Sequence, residues 1–84
     1  MLSREEIFEG LKRILLIIDP NKKEQLSKVN EDTRLQEELG LTSVSLLYLV
    51  VAIEEEFNIE FDDIGIEDFK TVGQTIDYIK SKLE

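Results

Sequence analysis

Glu38-Leu39-Gly40-Leu41-Thr42-Ser43-Val44 closes a polar connection and opens the most apolar helix candidate of the chain, residues 43–57. A serine at such a boundary has its hydroxyl at the positive end of the helix dipole, beside backbone N–H groups with no intrahelical partner. The plain reading is a cap, in which Ser43 or Thr42 satisfies one of those donors. The functional reading is that Ser43 offers its hydroxyl to a group from outside the chain. What surrounds the motif decides between them.

The helix that Ser43 opens has two apolar faces. At about 100° per residue, Leu46, Leu49, Val50, Ile53 and Phe57 gather on one side, and Val44, Leu47, Tyr48 and Val51 on the other. A helix apolar all round is normally buried at the centre of a fold, and that is one reading here. Three other short helical segments, however, are too few to cover both faces. The stripe ending in Phe57 runs the whole helix and is assigned to the core. The stripe beside Ser43 is then partly exposed, as binding surfaces are.

Working outward, Ser3-Arg4-Glu5-Glu6 reads as a capping box that starts a first helix. Ile7, Leu11, Ile14, Leu15 and Ile18 continue it as an amphipathic stripe, and Asp19-Pro20-Asn21 stops it. Residues 19–42 form a long connection with no strong element. It holds apolar pegs at Leu26, Val29, Leu35 and Leu39, and Gly40 ends a helical turn over 33–39. A short third segment runs through Asp62-Asp63-Ile64-Gly65-Ile66-Glu67-Asp68, whose spacing does not fit a calcium loop. The last helix starts at Thr71 with Gln74 three residues on. Val72, Ile76, Ile79 and Leu83 form its stripe, and Lys80 and Lys82 suit its C-terminal dipole. No strand alternation, repeat or Gly-rich phosphate loop competes. The expected fold is all-α: a small four-helix bundle with a long first connection and a short third helix, one domain over residues 1–84.

Composition narrows the function. The 84 residues include no His and no Cys. The usual general base, the Ser-His triad, the commonest zinc ligand and any thiolate site are all missing. A free-standing enzyme is not expected, and no metal site is read. No apolar run approaches the roughly 20 residues of a membrane span, and the N-terminus lacks the form of a secretory signal; the cytoplasm is the expected compartment. The net charge of −9 is uneven: residues 31–69 carry twelve acidic side chains against Arg34 alone. Such a segment repels nucleic-acid phosphates and attracts basic protein surfaces.

With these residues in order, the chain resembles an acyl carrier protein over nearly its whole length. The resemblance rests on Leu39-Gly40-Leu41-Thr42-Ser43, on the helix end Ala52-Ile53-Glu54-Glu55-Glu56-Phe57, on Asn58-Ile59-Glu60-Phe61, on Thr71-Val72 and on Ile76-Asp77-Tyr78-Ile79. The serine motif alone is short; the ordered set is specific. The resemblance implies that Ser43 receives a 4′-phosphopantetheine arm from coenzyme A through a separate, magnesium-dependent phosphopantetheinyl transferase. The arm's thiol would then carry acyl groups as thioesters between the acyl-loading and acyl-processing enzymes of fatty-acid, polyketide or related biosynthesis. A monomer that stands alone is expected.

Two departures from the family's usual pattern stand out. Fatty-acid carriers usually have Asp-Ser-Leu at the site, where this chain has Thr42-Ser43-Val44. Thr42 keeps the capping capacity but not the carboxylate that often helps place the transferase's magnesium. Where such carriers commonly show acids just after the motif, this chain has Ser45 and Tyr48. Its partner contact is expected to lean on Val44, Leu47, Tyr48 and Val51, with Glu54 and Glu55 at the rim, as in a specialised carrier with dedicated partners. The alternatives are a carrier-like scaffold or regulatory subunit that is not modified, and an unrelated acidic helical interaction module.

Overall fold

The computed structural model describes residues 2–61 and 69–84. Among them are helices α1 (Arg4–Ile18), α2 (Lys23–Leu26), α3 (Ser43–Phe57) and α4 (Val72–Leu83), and no strand. The all-α bundle with a long first connection is as expected. The short third segment expected over residues 62–68 lies outside the described residues.

α1 starts as its sequence requires. Ser3 Oγ accepts the Glu6 N–H at 3.2 Å, and Glu6 Oε1 accepts the Ser3 N–H at 2.9 Å, so two orphan donors are satisfied reciprocally. The bond from Ser3 holds the Glu6 carboxyl below its ordinary pKa. Ile7, Leu11, Ile14 and Leu15 are buried as the stripe predicts. α1 packs against both α3 and α4, which makes it the common wall of the core. α1 and α3 run in opposite directions: a Cβ on Gly10 would lie 2.9 Å from the Phe57 ring, while Ile17 and Ile18 share a groove with Tyr48.

The long connection is more structured than its sequence reveals. Asp19 ends α1 and its carboxylate accepts the Asn21 N–H at 3.1 Å, starting a 3-10 turn over Pro20–Lys22 that leads directly into α2. Four residues are far too few for a helix to be stable alone; burial of Leu26 holds this one in place. The connection is then fastened to the start of α4 through an isolated antiparallel bridge between Arg34 and Thr71. Leu35 N–H donates to Lys70 O at 2.9 Å, Val72 N–H to Thr33 O at 3.0 Å, and Gly73 N–H to Glu31 O at 2.8 Å. Arg4 reinforces the same junction with bonds to Glu31 and Asp77, which raise its already high pKa.

The turn expected before Gly40 is present. Glu38 N–H donates to Arg34 O and Gly40 N–H to Gln36 O, while Leu35, Leu39 and Leu41 are buried. Gly40 has φ +70°, a left-handed conformation that favours glycine. The far end of α3 uses the same device without a glycine: Asn58 adopts φ 54°, and Ile59 N–H reaches back to Glu54 O. Beyond it Phe61, Phe69 and Tyr78 form an aromatic cluster, with ring centroids 4.7 to 5.6 Å apart, the spacing at which tilted rings attract. α4 carries the second capping box, Thr71 with Gln74, and buries Val72, Thr75, Ile76 and Ile79.

Candidate functional site

Ser43 is the first residue of α3, and the residue before it does the capping. Thr42 has extended backbone, and its Oγ1 accepts the Ser45 N–H at 3.1 Å. The same oxygen lies 3.2 Å from Ser45 Oγ, so Ser45's hydroxyl is engaged too. Ser43 is exposed, and its hydroxyl makes no hydrogen bond to any described residue. Thr42 is therefore the cap of the two candidates, and no described residue engages the Ser43 hydroxyl. The position is fixed from behind by Leu41, which is buried, and by Leu46, the first core residue of α3.

The electrostatics at this point favour an anion. α3 has no acidic side chain in its own first turn, so no carboxylate of that turn offsets its N–H groups and helix dipole. No cluster of three or more His, Cys, Asp or Glu side chains that could hold a metal ion occurs among the described residues. The chain has no His, so the usual general base for a serine hydroxyl is missing. Chemically the described residues present a hydroxyl at Ser43.

The two faces of α3 separate as their pattern predicts. Leu46, Leu49, Ile53 and Phe57 are buried and Val50 is half-buried. On the opposite face Val44 is 74 % exposed, Leu47 54 %, Tyr48 64 % and Val51 54 %. A helix buried all round is excluded. The two rim acids differ: Glu55 is exposed and has no ion-pair partner among the described residues, whereas Glu54 is half-buried. Glu54 Oε2 accepts the Phe61 N–H at 2.8 Å, so this carboxylate is already holding the chain that leaves α3.

The sequence reading missed Ile17. It is 74 % exposed on α1, and it faces Tyr48 across a shared groove. A signal was present: Ile14-Leu15-Leu16-Ile17-Ile18 is a run of five apolar residues, and on a one-sided amphipathic helix such a run forces one of them outward.

A family model described as "Phosphopantetheine attachment site" matches residues 22–79. The chain belongs to the acyl carrier protein family. It is 40 % identical over 86 residues to the acyl carrier protein of Thermotoga maritima, covering 99 % of both chains. It is 36 % identical over 81 residues to the mitochondrial acyl carrier protein of Saccharomyces cerevisiae, covering 95 % of this chain but 65 % of that protein. The solution structure of the apo doublet acyl carrier protein from prodigiosin biosynthesis superposes with a TM-score of 0.61 at 22 % identity, covering 89 % of this chain and 37 % of that one. The last likeness is one of fold. Members of the family are carriers and not catalysts. No described helix is long and apolar enough to cross a membrane.

Proposed function

We propose that this chain carries acyl intermediates on a 4′-phosphopantetheine arm attached to Ser43. The observation that carries this reading is the division at the start of α3: Thr42 caps the helix, and Ser43 is exposed with its hydroxyl bonded to no described residue. The residues present fit the group. An arm joined through a phosphodiester would put its negative charge at the N-terminus of a fifteen-residue helix with no acid in its first turn, where the dipole and free N–H groups favour it. When bound, the arm supplies the terminal thiol that this chain lacks, and the thiol holds acyl groups as thioesters.

The protein's own residues present and orient; they do not activate. In the loading step Ser43 Oγ would form a phosphodiester as the pyrophosphate bond of coenzyme A breaks, adenosine 3′,5′-bisphosphate would leave, and the hydroxyl proton would pass to the phosphopantetheinyl transferase. Val44, Leu47, Tyr48 and Val51, beside the site, serve as the surface for the transferase and for the acyl-loading and acyl-processing enzymes, with Glu55 at the rim. Glu54 takes a lesser part because its carboxylate already serves the fold. A largely apolar surface at this position supports a specialised carrier with a dedicated set of partners.

The test is intact mass after incubation with coenzyme A and a promiscuous phosphopantetheinyl transferase. The unaltered chain should gain one arm, and Ser43→Ala should fold and gain none. An unaltered chain that stays unmodified would favour the scaffold reading, for which Thr42 in place of an aspartate is the one supporting feature.

A further inference from the structure

The exposed apolar patch does not end on α3. Of the large hydrophobic residues left exposed among the described residues, four lie on α3 and the fifth, Ile17, lies on α1. Ile17 and Tyr48 line the same groove between the two helices, about 370 Å³ in volume. Its floor is the buried Ile14, Ala52 lies one turn along α3 from Tyr48, and Glu55 and Glu56 close one end. We propose that this α1–α3 groove receives an amphipathic helix of a partner protein, with an apolar pair seated against Ile17 and Tyr48 and an Arg or Lys one turn further on facing Glu55 and Glu56. The inference rests on the exposed α3 face being a partner surface. It extends that surface to α1 and specifies the chemistry of what binds there.

Charge decides the occupant. Among the described residues Glu55 has no ion-pair partner and Glu56 pairs only with Arg13, at 3.9 Å, a long and exposed contact worth little. A second copy of this chain would bring the same two acids, on a protein of net charge −9, against themselves. Like charges at a contact disfavour that pairing and leave a basic partner favoured. The geometry suits a helix: Tyr48, Ala52 and Glu55 stand at i, i+4 and i+7, so one wall presents apolar side chains first and a carboxylate a turn later. An apolar pair followed by a base is the complementary order.

The experiment is a selection of displayed amphipathic helical peptides, randomised on both faces, against the unmodified chain. Each binder is then measured on Ile17→Asp and Glu55→Lys, whose folding is checked by circular dichroism; both altered residues are exposed. The expected binders carry two apolar residues at i and i+4 with Arg or Lys one turn on. They should lose at least tenfold in affinity on Ile17→Asp, and Glu55→Lys should reverse the preference towards acidic peptides. The proposal is overturned if no binders emerge, if binders lack the base, or if they ignore Ile17→Asp. It is also overturned if the unaltered chain sediments as a dimer that Ile17→Asp abolishes, since the groove then belongs to a second copy. Because the bait is unmodified, the outcome is independent of loading. A Ser43 that fails to take up an arm would refute the carrier reading and leave this result standing.

Discussion

At the start of α3 two adjacent hydroxyls part company: Thr42 Oγ1 accepts the Ser45 N–H, and Ser43 Oγ is bonded to no described residue. The sequence brings both residues to the helix start but does not assign the cap, because Ser and Thr are both accepted there. Backbone geometry makes the choice, since Thr42 has the extended conformation that a cap requires and Ser43 is already helical. The consequence is measurable in stability. Thr42→Ala removes the cap and should cost about 1 kcal/mol in urea denaturation, while Ser43→Ala removes no bond to a described residue and should stay within roughly ±0.5 kcal/mol. Equal losses in the two variants would mean that the hydroxyls share the capping. Gly40 was legible for the same kind of reason: a glycine after an i, i+4 leucine pair implies a left-handed residue, and φ is +70° there.

α3 is the element whose reading depended most on the company it keeps. Its two stripes were legible from periodicity, and which one is buried followed from the number of helices available to cover them. α1 and α3 lie side by side, so Leu46, Leu49 and Ile53 are buried while the stripe beside Ser43 is left outside. α2 and the bridge between Arg34 and Thr71 were not legible. A four-residue helix has no periodicity to detect, and a single bridge is created by tertiary contact with the start of α4. Ile17 was hidden because the stripe from Ile7 to Ile18 accounts for α1 without it. Tyr48→Glu is the substitution that separates surface from core on α3. Tyr48 is 64 % exposed, so the change should leave stability within roughly ±0.5 kcal/mol. It should nevertheless slow acyl transfer to the carrier's own partner enzymes, because a carboxylate desolvated in an apolar contact is costly. A Tyr48→Glu chain that unfolds, or that serves its partners unchanged, would remove this face from the binding surface.

For the whole molecule, charge is the term that sequence composition states most clearly and that the fold only partly relieves. Arg4, Lys12, Arg13, Arg34 and Lys80 form ion pairs, all at the surface. Asp32, Glu55 and Glu60 form none among the described residues. Repulsion across the acidic segment should therefore lower stability at low ionic strength. The melting temperature should rise as sodium chloride or a divalent cation is added, and a flat titration would show that the repulsion is already relieved. Under the proposed function, the same acidity, a chain without His or Cys and a Ser43 hydroxyl bonded to no described residue fit a molecule that would borrow its chemistry from an attached group and its partners. The most direct measurement of that claim is fragmentation mass spectrometry of the peptide spanning residues 40–50 after loading with coenzyme A and transferase. The expected result is a single phosphopantetheine on Ser43, with Thr42 and Ser45 unmodified. An arm found on Ser45 or elsewhere, or no arm at all, would contradict it.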